Sequence, residues 1–185
     1  MAHDSQQRFC QEKVAAYPEL FRGKRVLDVG SRDVNGNNRY LFEDCRYIGI
    51  DISEGPNVDF VCPAMLMTGT YDVIISTSAL EHDPLWKETL LACVKMLVPG
   101  GPLLITAAGP GWPEHGTTWT SVGDWDMTRQ THEMYKPFVD WYHNIDIPEF
   151  EEALPRDLFT VYETSTPFSN EAQGIRDFFF FGVKR

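Results

Sequence analysis

Short apolar blocks punctuate the first 107 residues of this 185-residue chain, at 25–30, 46–51, 58–61, 71–76 and 102–106. They are apolar nearly throughout rather than alternating, the pattern of parallel strands covered on both faces. Ahead of them, residues 5–17 place Phe9, Val14 and Tyr17 at helical spacing, and Pro18 closes the run. Between the fourth and fifth blocks, Trp86, Leu90, Cys93, Val94 and Leu97 form one stripe, with Lys87, Glu88 and Lys95 off it. That is an amphipathic helix, and Pro99-Gly100-Gly101 ends it. Strand, helix and strand in this rhythm make a βαβ unit and predict a mostly parallel sheet.

The pattern changes after residue 109. Residues 109–148 carry Trp112, Trp119, Trp125 and Trp141, with His115, His132 and His143, and no sustained period. A short helix is expected over 149–154, led by Pro148. Residues 159–164 and 177–183 read as two last strands. The loop at 167–174 is too short for a parallel crossover, which takes a dozen residues or more, so this pair should be antiparallel. The expected layout is one α/β domain: an N-terminal helix (1–24), a cofactor-binding half (25–107), an irregular substrate-side segment (109–150) and a C-terminal strand pair (155–185).

Composition narrows the class. With 43% hydrophobic and 23% charged residues, the chain reads as an ordinary globular protein. No stretch approaches the roughly 20 apolar residues of a membrane span. Residues 1–9 lack an apolar signal core, so a cytoplasmic location is expected. A net charge of −11 repels phosphate backbones and argues against nucleic-acid partners. Cys10, Cys45, Cys62 and Cys93 lie far apart without a CxxC pair, so neither a disulfide framework nor a metal site is expected.

Ligands of open α/β sheets bind beyond the carboxyl ends of the strands, at the point where strand order reverses. Three features converge there. Asp28, Gly30, Ser31 and Arg32 end the first strand, and Gly30 has no Cβ to block a ligand. Asp51 ends the second strand, where a carboxylate can accept both hydroxyls of a ribose. Thr77, Ser78 and Ala79 end the fourth, small enough to leave room. Together they point to a nucleoside-type cofactor.

In order, Leu27-Asp28-Val29-Gly30-Ser31, Gly49-Ile50-Asp51, Tyr71-Asp72-Val73-Ile74, Ala79-Leu80-Glu81-His82 and Leu97-Val98-Pro99-Gly100-Gly101 resemble the motifs of class I S-adenosylmethionine-dependent methyltransferases, in the branch that modifies small molecules and sugars. The resemblance implies a Rossmann-like, doubly wound sheet of seven strands with an antiparallel C-terminal strand. It implies S-adenosylmethionine as cofactor and S-adenosylhomocysteine as product. Gly30 and Ser31 would face the methionine part, Asp28 its ammonium group, Asp51 the ribose and Ile52 the adenine. Two departures stand out. Arg32, Asp33 and Val34 make the first loop bulkier than the family's, and Pro63, ahead of Ala64, stands where an acidic acceptor for the adenine amino group is usual. A backbone carbonyl or water must then serve at Pro63-Ala64, since proline has no side-chain acceptor.

Methyl transfer from a sulfonium is an in-line displacement that needs positioning, and a base only if the acceptor starts protonated. Candidate bases are His82 and Glu81 after the fourth strand, and His115 with Glu114 after the fifth. His82 is favoured slightly; His132 and His143 have no positional argument. The tryptophans of 109–148 would wall the acceptor pocket or fill the segment's own core. The expected reaction is methylation of a small-molecule or glycan acceptor, on oxygen. A nicotinamide oxidoreductase would share Asp51 but needs the absent G-x-G-x-x-G fingerprint. A non-catalytic cofactor-binding protein is the other alternative, motivated by Pro63 and the bulky loop.

Overall fold

The computed structural model describes residues 4–34, 36–120, 132–138 and 140–185. The five expected blocks form parallel strands: β1 (Arg25–Val29), β2 (Arg46–Asp51), β3 (Phe60–Val61), β4 (Val73–Thr77) and β5 (Pro102–Ala108). The C-terminal region adds β6 (Phe159–Ser165), β7 (Phe168–Asn170) and β8 (Ile175–Lys184). The sheet order is β3-β2-β1-β4-β5-β8-β6, with β7 paired to β8. All of β8's pairings, to β5, β6 and β7, are antiparallel. The chain therefore runs outward from β1 to β3, returns to β4 on the other side of β1, and opens its switch point between β1 and β4.

Helices cover both faces because successive strand residues point to opposite sides. Leu27, Ile74, Leu103, Ile105, Phe178 and Phe180 bury against α2 (Trp86–Met96) and α3 (Ile147–Ala153). On α2 the contacting residues include the predicted stripe, Trp86, Leu90, Cys93 and Val94, followed by Leu97. Phe150 of α3 sets its ring, tilted, with its centroid 4.6 Å from that of Phe178 and 5.0 Å from that of Phe180. The opposite face, with Val26, Val73, Ile75, Leu104 and Phe181, takes Cys10 of α1 (Asp4–Ala16) together with Phe21 and Phe42.

The differences from the sequence reading have local causes. Among the described residues the main path of the sheet holds the expected seven strands, and β7 adds a short eighth paired to β8. β7 was missed because Phe168-Ser169-Asn170 is too short to show a period; Gly174, at φ +71°, turns the chain back into β8. The third strand keeps only Phe60-Val61, since Asn57 at φ 67° bends the chain just before it. Tyr71 makes an isolated bridge to Leu97 rather than joining β4. The last helix starts at Ile147. Asp146 accepts from the Glu149 N–H and the Glu149 carboxylate accepts from the Asp146 N–H, a reciprocal cap that places the boundary before Pro148. Among the described residues, the β1–β2 and β3–β4 connections carry single 3-10 turns, Arg39–Leu41 and Ala64–Leu66, instead of full helices.

Candidate functional site

A cavity opens beyond the carboxyl ends of β1, β2 and β4. Its lining includes every residue assigned from sequence to the cofactor: Asp28, Gly30, Ser31, Arg32, Asp51, Ile52, Pro63, Ala64, Thr77, Ser78 and Ala79. The strands deliver these residues side by side because β1 pairs with both β2 and β4, aligning Asp28 with Gly49 and Ile75.

Asp28 is buried on β1. One carboxylate oxygen, Oδ2, accepts from the Tyr47 hydroxyl and lies 3.4 Å from Asn38 Nδ2. The other, Oδ1, is buried with no hydrogen-bond partner among the described residues. Burial pushes the carboxyl up to about 6, against the lowering effect of the Tyr47 and Asn38 hydrogen bonds. An acceptor held in this state suits a cationic ligand group, which satisfies the lone oxygen and stabilises its charge.

Asp51 is organised from both sides. Its Oδ2 accepts from the Arg32 N–H at 3.2 Å and its Oδ1 from the Ser53 N–H at 2.9 Å. A carboxylate has about four lone-pair sites, so acceptor capacity remains for two hydroxyls. Burial raises its pKa, and the Ser53 and Arg32 N–H groups oppose the rise. The bulky Arg32 loop thus does structural work: its backbone aims Asp51. Further along it, Asp33 accepts from Gly36 N and Asn37 Nδ2, each at 2.7 Å.

Two of these residues also carry packing roles that the sequence did not show. Gly30 was assigned to give a ligand room, but its first neighbour is protein. At φ +76°, a Cβ on Gly30 would lie 2.2 Å from the Cβ of Ala79. The glycine lets the β1 and β4 loops close on each other. The Ser31 hydroxyl donates to the Asn57 carbonyl at 3.1 Å, while Asn57 Nδ2 donates back to the Ser31 carbonyl at 2.8 Å. Ser31 thus clamps the β2–β3 loop while also lining the cavity.

Sequence reasoning missed Asn38, Asp83, Thr89 and Tyr135, which also line the cavity. Asn38 bridges Asp28 and the Thr77 hydroxyl, the latter at 2.9 Å. Tyr135 arrives from far along the chain and donates to Asp83 at 3.1 Å. Nearby, the His132 N–H donates to the Ile52 carbonyl at 3.1 Å. The stretch 132–138 therefore packs over the Ile52 side of the cavity, a role for His132's backbone that its position in the sequence did not signal. A tyrosine followed by a lysine and a proline carries no pattern that would have located it.

The candidate bases cluster at one edge. His82 lines the cavity, with its ring 5.0 Å from that of His115 and 5.4 Å from that of Tyr142. His115 and Tyr142 are 4.9 Å apart. Burial, reinforced by His115, holds His82 down to about 3. At neutral pH its ring is therefore neutral and its protonated form costly, which weighs against the slight preference for His82 as base. Glu81 is fully buried, accepts from the Ala108 N–H at 3.2 Å, and has its pKa raised by that burial. Glu114 accepts through one oxygen, Oε1, from the Thr117 hydroxyl at 2.7 Å and from the Trp119 indole.

The tryptophans separate. Trp112 donates to Asp177 at 3.0 Å and sits 5.9 Å from His115, beside the cluster. Trp141 packs against the core, Trp119 is exposed, and Trp125 lies outside the described residues. His143 is bound to Glu149 at 2.8 Å, in keeping with a structural role.

A family model described as a methyltransferase domain matches residues 1–145. The chain belongs to the methyltransferase-domain family. Among curated proteins, this methyltransferase domain is 27% identical over 106 residues to ubiquinone biosynthesis O-methyltransferase of Erwinia tasmaniensis, covering 48% of the chain and 44% of that protein. It is 26% identical over 142 residues to the Idiomarina loihiensis protein of the same name, covering 62% and 57%. A further match, 28% over 130 residues, is to squalestatin hexaketide synthase of Phoma sp., covering 69% of the chain and 5% of the synthase. The chain thus spans about half the length of the ubiquinone relatives and a small part of the synthase. Among solved structures, 1,6-didemethyltoxoflavin-N1-methyltransferase of Burkholderia thailandensis superimposes with a TM-score of 0.64 at 17% identity, covering 96% of this chain and 77% of that one. Phosphoethanolamine N-methyltransferase 2 of Haemonchus contortus gives 0.63 at 17%, covering 96% and 52%. The methyltransferase domain has their class I, Rossmann-like fold.

Proposed function

We propose that this domain binds S-adenosylmethionine and methylates a hydroxyl of a small-molecule or glycan acceptor. The observation that carries the reading is the cavity between β1, β2 and β4, with an unpartnered, buried Asp28 Oδ1 at one place and a backbone-aimed Asp51 at another. These residues fit the group: a carboxylate oxygen for the ammonium, a second carboxylate for the ribose diol, and Ile52, Pro63 and Ala64 as apolar walls for the adenine. Bound there, S-adenosylmethionine supplies an electrophilic methyl group on a sulfonium sulfur. The protein's own contribution is alignment and the exclusion of water. A hydroxyl acceptor must also shed a proton, and Glu81, His82 and His115 are where the described residues gather lone pairs at the cavity's edge. Oxygen as the acceptor atom is supported by the O-methyltransferase relatives and by this cluster.

Calorimetric titration with S-adenosylhomocysteine and with NAD tests the cofactor. Binding of the first and not the second is expected, and the reverse overturns the reading. A mass-spectrometric screen with S-adenosylmethionine and paired hydroxyl and amine acceptors tests the atom. Methyl gain confined to amines would overturn O-methylation while leaving the cofactor in place.

A further inference from the structure

The cysteine spacing points away from a metal, but the tertiary structure assembles a ligand set of another kind. Glu81 and His82 follow β4, His115 follows β5, and β4 and β5 are paired neighbours. One carboxylate oxygen and two imidazole nitrogens from these residues lie within 4.8 Å of one another. We propose that Glu81, His82 and His115 form a binding site for one divalent transition-metal cation of the Zn²⁺ type, at the acceptor edge of the cavity.

Four observations support the site. The first is the donor set: two histidines and one carboxylate are a ligand combination of catalytic zinc, which leaves a further position open. The second is an unmet need. Glu81 Oε1 is held by the Ala108 N–H, whereas Oε2 is buried with no partner among the described residues, and so is His82 Nε2. Buried polar atoms are nearly always paired, and an unpaired carboxylate oxygen is among the costliest to leave so. A cation that reached both would satisfy them. The third is the support behind His115. Its Nδ1 lies 3.0 Å from the Pro113 carbonyl. A carbonyl only accepts, so Nδ1 carries the proton and Nε2 keeps its lone pair, the outer-partner arrangement typical of metal-bound histidine. The fourth is placement. His82 lines the cavity, so a cation here faces the ligand space, walled by the rings of Tyr142 and Trp112 around His115.

The geometry needs only a small closure. Ligand atoms about 2.1 Å from a tetrahedral cation sit roughly 3.4 Å from each other. Glu81 is fixed by burial, so His115, half-buried on its loop, is the member free to adjust. For the function, which rests on the methyltransferase reading above, the open position would take the acceptor's hydroxyl oxygen. The cation's charge lowers the pKa of a bound hydroxyl. The O–H bond then breaks heterolytically, the proton passes to solvent, and the electron pair stays on the oxygen that accepts the methyl group. An acceptor with two adjacent oxygens, such as a catechol or an α-hydroxy carbonyl, would fit this site better than an isolated alcohol.

The test strips the protein with a chelator and titrates it with Co²⁺, followed by calorimetry and visible absorption. S-adenosylhomocysteine is titrated into the same samples. One Co²⁺ per chain is expected, with the intense absorption of a four-coordinate nitrogen-ligated ion. His115→Ala should weaken it by more than the roughly 10–100-fold that loss of an outer partner alone costs. Glu81→Gln should do the same if it folds; His115→Ala removes only a half-buried loop side chain and keeps the test open if it does not. No Co²⁺ binding, or binding that His115→Ala leaves unchanged, overturns the site: the second result marks adventitious binding to a chain of net charge −11. S-adenosylhomocysteine binding without Co²⁺ binding removes the metal and leaves the proposed reaction standing. Stoichiometric Co²⁺ binding lost in His115→Ala, without S-adenosylhomocysteine binding, upholds the cation site and overturns the reaction.

Discussion

Replacing Asp28 with asparagine should pull cofactor affinity and fold stability in opposite directions. Burial raises this carboxyl from 3.8 to about 6. At 1.36 kcal/mol per pH unit, keeping it ionised in the folded protein costs about 3 kcal/mol. Below about pH 4 the group is protonated in folded and unfolded chains alike, and the charge costs nothing. Between about pH 4 and 6 the unfolded chain releases the proton first, so stability falls as pH rises; above about 6 the full cost is present. The charged and titratable groups facing Asp28 are Tyr47, Asp51, Arg39 and Cys10. Burial drives the pKa of Tyr47 far above neutrality and the Cys10 thiol up to about 12, so neither changes charge in this window. Asp28→Asn should therefore stabilise the ligand-free protein at pH 7, by up to about 3 kcal/mol or roughly 6–12 °C in Tm, and change it little at pH 4. The same change removes the charge that would pair with the cofactor's ammonium. S-adenosylhomocysteine binding should weaken by about 1.5–3 kcal/mol, roughly 10–150-fold. Calorimetric titration and thermal unfolding at both pH values measure the two effects. Affinity within a factor of two of the parent would remove Asp28 from the ammonium site; a Tm difference that does not vary with pH would refute the cost assigned to its charge.

Two further substitutions probe the site. Asp51→Ala should weaken S-adenosylhomocysteine by about 1.5–3 kcal/mol, and should also speed amide exchange at Arg32 and Ser53, whose N–H groups lose their acceptor; unchanged affinity in a folded variant would remove Asp51 from the ribose site. Gly30→Ala should destabilise the fold itself by more than about 1 kcal/mol, from the left-handed φ alone and further from the 2.2 Å approach to Ala79. Adding Ala79→Gly should return part of that loss, and denaturant unfolding that shows no recovery would place the strain elsewhere.

Much of the cofactor half was legible because its signals are local. Parallel strands buried on both faces must be apolar throughout, so 25–30, 46–51 and 102–106 declare themselves, and the α2 stripe from Trp86 to Leu97 does the same at helical period. Asp28, Asp51 and Thr77–Ala79 were assigned because they sit at strand ends, and a parallel sheet brings all such ends to one edge. What fails is whatever depends on partners remote in sequence. Nothing in the sequence showed that Ala79 crowds Gly30 or that the Asn57 carbonyl takes the Ser31 hydroxyl. His82 carries an ordinary histidine pKa in any sequence reading. Only its burial beside His115 shows that its pKa is lowered, and only the pairing of β4 with β5 brings Glu81 and His82 to His115. Tyr135 reaches the cavity across a stretch without periodicity. Strand and helix periods, and the order of the motifs, are properties of neighbours along the chain, and the sequence alone determined them. Burial, orientation and charge environment are sums over neighbours in space, and for Asp28, His82 and His115 the tertiary structure decided them.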